Sequence, residues 1–158
     1  MGEDMTSQYH ILVQQAIVRF GNNNKKVARV RHSGQPIHIN HPTNSKTILY
    51  NPDVHFELKN RKRIIFEIVD TQPDEKTIAD VIRSLLSPNA SQVYFIVKNK
   101  NKEKNVDRIY DVILSKLADD FRTKKSKLPM DANVIHISQS DISNTQRLDD
   151  LLKEYITI

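Results

Sequence analysis

The feature that most constrains this chain is a heptapeptide, Arg63–Val69 (RIIFEIV), in which both alternating sets of side chains are apolar except at Glu67. Successive side chains of a strand point to opposite faces, so a run that is apolar in both sets needs cover on both sides. That is the signature of a central strand in a sheet sandwiched between helices. A carboxylate inside such a strand is costly to bury and needs a partner, a changed protonation state or a cation.

The rest of the chain supplies the expected layers. Tyr9, Leu12, Val13, Ala16, Ile17 and Phe20 recur with helical spacing over residues 5–20, after Thr6 or Ser7 as cap and before Gly21 as stop. Residues 26–31 and 36–39 read as short extended pieces. Val54, Phe56 and Leu58 alternate with Asp53, His55 and Glu57 in a strand that reaches Arg63–Val69 through a turn at 60–62. Past Thr71, with Pro73, Asp74 and Glu75 as helix-start residues, Ile78, Val81, Ile82, Leu85 and Leu86 form a second helical face up to Pro88. Residues 92–98 form a buried strand. A Lys/Asn-rich loop precedes a long stripe from Val106 to Phe121, then a strand at 133–138 and a short helix through Leu148, Leu151, Leu152 and Tyr155.

This order, α-β-β-β-α-β-α-β-α, predicts one α/β domain over residues 1–158, with a mixed central β-sheet flanked by helices. The turn at 60–62 makes one pair antiparallel, and helical crossovers bring in the later strands parallel. A chain of 158 residues is long enough to bury a substantial core.

Composition narrows the chemistry. The chain has no cysteine, which excludes disulfides, thiolate zinc sites and cysteine nucleophiles. Its three glycines, at positions 2, 21 and 34, cannot form a phosphate-binding loop. His32, His38 and His41 fall in a loop-like stretch without the companions of a zinc site. No apolar run approaches a membrane span and no signal-peptide pattern opens the chain, so a cytoplasmic protein with no membrane partner is expected.

The formal charge is +5, from 24 Lys and Arg against 19 Asp and Glu, and the cations are clustered. The runs are Lys25, Lys26, Arg29 and Arg31; then Lys59, Arg61, Lys62 and Arg63; then the lysines of 98–104; then those of 122–127. Clusters of this kind suit contact with a phosphate backbone, and the first two form the expected nucleic-acid-binding set. The competing reading is of solvated loops without a partner. The few aromatics fall mostly on core faces, which argues against a stacking platform for single strands.

Pro52-Asp53, thirteen residues, then Glu67-Ile68-Val69 on the next strand resembles the PD-(D/E)XK motif of restriction endonucleases and Holliday-junction resolvases. The α-β-β-β-α-β order of residues 5–98 is similar to that superfamily's shared core, leaving about 105–158 as a C-terminal extension. The resemblance implies that Asp53 and Glu67 are catalytic and hold Mg²⁺ or Mn²⁺ for phosphodiester hydrolysis, with DNA favoured over RNA as partner and a homodimer by analogy.

The two acids can meet only if they share a face. A three-residue loop at 60–62 is expected to set His55 opposite Glu67 and Asp53 opposite Val69, all on one face; a two-residue loop would send Glu67 to the other.

Two departures stand against the family pattern. Val69 occupies the place of the motif lysine, which leaves Lys76 or Lys59 as substitute cations. The first helix offers Gln8, Gln14 and Gln15 where relatives often present a glutamate. The alternative is therefore the same fold without catalysis, a nucleic-acid-binding or protein-interaction module. Glu67 could also serve as a structural partner of Arg29 or Arg31.

Overall fold

The computed structural model describes residues 7–40, 43–71, 75–121 and 131–158, without the side chains of residue 114 and residues 117–121. Thr6, His41, the helix start at residues 72–74 and the basic run 122–127 lie outside the described residues.

The chain is α/β, as its patterning predicts. The elements are α1 (Gln8–Asn22), β1 (Val27–His32), β2 (Ile37–Asn40), β3 (Thr47–Tyr50), β4 (Val54–Leu58), β5 (Arg63–Val69), α2 (Glu75–Leu86), β6 (Ala90–Val97), α3 (Lys100–Phe121), β7 (Asp131–His136) and α4 (Thr145–Tyr155). A five-stranded sheet has the order β1-β4-β5-β6-β7, and β2 and β3 form a separate hairpin. The strand pairs β1/β4 and β4/β5 are antiparallel, whereas β5/β6 and β6/β7 are parallel. None of the described helices is long and apolar enough to cross a membrane.

β5 is the central strand and is buried from Ile64 to Val69. Ile64, Phe66 and Ile68 enter a core with Tyr9, Val13 and Ile17 of α1 and Leu148 and Leu152 of α4. Ile65 and Val69 enter a second core with Val81 of α2, Val106 and Tyr110 of α3, and Ile37 and Tyr50 of the small hairpin. Glu67, between Ile65 and Val69, shares their side of the sheet.

Three local expectations are corrected. Gly21 does not stop α1. It lies inside the helix, where an added Cβ would meet Phe56 Cε1 at 2.5 Å and Val30 Cγ2 at 2.6 Å, so its role is to let the helix approach the sheet. Thr47–Tyr50 is a strand that the sequence hides, because Ile48 and Leu49 are adjacent, apolar and both exposed. The Lys/Asn run at 98–104 is largely helical, since Asn99 caps α3 by accepting the Lys102 N–H on its side chain at 3.1 Å.

The hairpin joining β4 to β5 decides the register. Leu58 N–H donates to Lys62 O at 2.8 Å, closing a three-residue loop of Lys59, Asn60 and Arg61. Arg61 has φ 70°, the left-handed third position that such loops use. The loop length is as expected but begins one residue earlier, so His55 faces Ile65 rather than Glu67. Continuing that ladder one step beyond Val54↔Phe66 sets Asp53 opposite Glu67 rather than Val69.

Candidate metal centre

Asp53 stands just before β4, behind the buried Pro52. Its Oδ2 accepts the Ile68 N–H at 2.7 Å, at the point where Pro52 would be the next ladder partner. Its backbone carbonyl accepts Gln14 Nε2 at 2.9 Å. These contacts fix both backbone and side chain and leave Oδ1 towards the cleft, 3.2 Å from His10 Nε2.

Glu67 is 6 % exposed. The Tyr50 hydroxyl donates to its Oε1 in a short hydrogen bond, and the Asp53 carboxyl lines the same cleft. Burial, then the charges of Asp53 and Asp80, push the Glu67 carboxyl well above the usual range, against the opposing Tyr50 bond. Burial first, then the neighbouring Glu67 carboxyl, raises the Tyr50 hydroxyl. Asp80, on α2, is raised by burial, which Lys76 and Arg83 oppose. His10 is raised chiefly by its hydrogen bond to Asp53. A buried carboxyl held towards its neutral form beside a second carboxyl offers two oxygen donors that a cation could claim in place of the proton.

A cleft of about 120 Å³ lies at the end of β5, with walls that include His10, Asp53, Glu67, Asp70, Lys76 and Asp80. The oxygen-rich donor set fits Mg²⁺ or Mn²⁺, which take one or two carboxylates and keep several waters. Among the described residues, no three His, Asp or Glu side chains form a complete protein cage for an ion.

The two predicted acids therefore meet. Val69 is buried in the second core and offers no cation, while Lys76 lines the cleft and Lys59 sits at the hairpin loop. Of the α1 glutamines, Gln14 supports Asp53 through its carbonyl, and Gln8 and Gln15 are exposed. Glu67 pairs with neither Arg29 nor Arg31. Arg31 instead binds Glu57 at 3.3 Å, with Arg63 at 3.9 Å from the same oxygen, and Arg29 is exposed on β1.

Lys25, Lys26, Lys59, Arg61 and Lys62 are exposed at the far end of the sheet, where Lys59 N–H donates to Lys26 O at 2.9 Å. Five residue steps, about 17 Å of strand, separate that end from Asp53 and Glu67. His55, expected beside Glu67, belongs with the Arg31–Glu57–Arg63 group. Burial first, then Arg63, lowers it to about 4, and its Nδ1 is without a partner among the described residues.

Sequence reasoning missed His10, Tyr50, Asp70 and Asp80. Each arrives from a different element, and none carries a local pattern; only the placement of His10 near the cap of α1 hints at an end-of-sheet position. Compared with protein-family models, with curated proteins and with solved structures, the chain finds no match.

Proposed function

We propose that this protein is a PD-(D/E)XK-like, metal-dependent nuclease acting on DNA, with Asp53 and Glu67 as the metal ligands and catalytic acids. The observation that carries the reading is that Asp53 and the buried Glu67 line one cleft, with no arginine or lysine bonded to either carboxyl among the described residues. The scaffold supports it: an antiparallel β1-β4-β5 unit follows α1, α2 crosses to the parallel β6, and the acids lie where β5 ends.

A divalent cation bound there would supply positive charge to the phosphate and lower the pKa of the attacking water. Asp53 is held for this by the Ile68 N–H, and Glu67 is oriented by the Tyr50 hydroxyl. His10 holds a proton at Nε2 against Asp53 Oδ1. Lys76 places a cation at the cleft in the absence of a motif lysine. The same reading carries a homodimer for cutting both strands and a cytoplasmic location.

Cleavage of labelled duplex, branched and single-stranded DNA and RNA with Mg²⁺ or Mn²⁺ tests it. Metal-dependent cutting lost in both Asp53→Ala and Glu67→Ala is expected. No cutting, with salt-sensitive binding unchanged by either substitution, would instead make the protein a binding module.

A further inference from the structure

The basic run at 98–104, loop-like in composition, adjoins the end of β5 just past Glu67. Lys98 N–H donates to Val69 O at 3.2 Å, which puts the end of β6 against the end of β5, two residues past Glu67. Lys102 is buried and donates from Nζ to Asp70 O at 2.8 Å, anchoring the first turn of α3 to the strand that carries the acid. Lys98 Nζ lies 5.3 Å from the centre of the Tyr9 ring, next to His10 on α1.

Lys100 and Lys104 are exposed, one turn apart on the same side of α3, with their Cα atoms separated by about 6 Å along the axis. Among the described residues none of Lys98, Lys100 and Lys104 is ion-paired to a carboxylate. Farther along the helix Asp107 and Asp111 return to that side and bound the patch. By contrast, the cations at the β4–β5 hairpin lie about 17 Å from the acids along the sheet.

We infer that the phosphate backbone of duplex DNA is held by Lys98, Lys100 and Lys104 at the cleft end of the sheet, and not by the cations of the β4–β5 hairpin. The inference deepens the proposed nuclease reading and rests on it for the identity of the ligand. Exposed lysines such as Lys100 and Lys104, with the half-buried Lys98 beside them in the chain, suit this task because a backbone contact releases counterions and needs no base recognition.

Anisotropy of a short labelled duplex, titrated in EDTA across a salt series, tests the surface apart from catalysis. The variant combining Lys98→Ala, Lys100→Ala and Lys104→Ala is compared with one combining Lys25→Ala, Lys59→Ala and Lys62→Ala, which removes the same charge. The α3 variant should lose about tenfold or more in affinity, and its salt slope should fall by about 0.9 for each phosphate contact removed. The hairpin variant should stay within about threefold of wild type, the effect of net charge. Single Lys104→Glu, with thermal unfolding checked for every variant, should repeat the loss on an intact fold. Equal losses in the two variants, a larger loss at the hairpin, or no salt-sensitive binding by wild type would overturn the assignment. Binding that depends on α3 without any metal-dependent cutting would sink the nuclease reading alone and leave the surface standing.

Discussion

Glu57 and Glu67 lie on the same face of the same two-stranded unit, and their surroundings are opposite. Glu57 sits on the ladder across from Arg63 and binds Arg31, so its charge is balanced by two guanidiniums. Glu67 lies across from Asp53, with Asp80 nearby and only a tyrosine hydroxyl as neutral donor. The histidines follow suit: His55, beside the arginines, is lowered, and His10, beside Asp53, is raised. Glu57 is therefore what a structural carboxylate looks like in this sheet. Glu67 is held in an arrangement that costs the fold something, as sites built for function commonly do.

The largest effect expected from breaking this contrast is on cleavage. Asp53→Ala and Glu67→Ala should each lower metal-dependent cutting by about 10²–10⁴-fold, whereas Glu57→Ala should leave it nearly unchanged. Comparable losses in all three under steady-state assay would remove the distinction between the two ends.

The next effect is a pair of opposite pH slopes. Glu67 is raised when folded, so the stability it contributes is present below its ordinary value of 4.5 and is lost as the pH climbs through the folded value. Without divalent cation, wild type should lose stability on the alkaline side, and Glu67→Gln should flatten that limb. A tenfold change in proton affinity on folding corresponds to about 1.4 kcal/mol, or about 3–6 °C in Tm. His55 behaves in reverse. Its contribution is present above 6.5 and is lost as the pH falls towards about 4. His55→Leu should therefore gain about 1–3 kcal/mol over wild type near pH 4 to 5, aided by removal of the unpartnered Nδ1. Calorimetry from pH 4 to 9 reads both limbs, and a Glu67→Gln profile parallel to wild type would contradict the protonated Glu67.

Smallest is the ion pair itself. Arg31→Ala should cost no more than about 1 kcal/mol in urea unfolding, because Arg31 and Glu57 are both partly exposed. A cost of several kcal/mol would show Glu57 to be as specialised as Glu67.

What is legible in the sequence follows from period and chain order. The two-sided apolar run at Arg63–Val69 identifies the central strand, and helical spacing identifies the face of α1. The even relation of Asp53 to Glu67 across a three-residue loop places both acids on one face, as the structure has them. The loop starts one residue earlier than expected and so each cross-strand partner moves by two residues, because Asn60 and Arg61 leave the start of the loop open until the left-handed Arg61 is seen. Tyr50, His10 and Asp80 are illegible for a different reason. They join the acids through the packing of β3, α1 and α2 against the sheet, and tertiary proximity leaves no mark in local spacing. The lysines of 98–104 mislead because polar composition resembles a loop, while the Asn99 cap makes their segment the start of a helix.

On the proposed reading, a divalent cation bound between Asp53 and Glu67 displaces the proton that burial favours on Glu67. Titration of Mn²⁺ followed by electron paramagnetic resonance at pH 8, on wild type, Glu67→Gln and Glu57→Gln, tests it most directly. One bound Mn²⁺ is expected in wild type and in Glu57→Gln, with affinity reduced at least about tenfold in Glu67→Gln. Equal Mn²⁺ binding by all three proteins, or none by wild type, would contradict it.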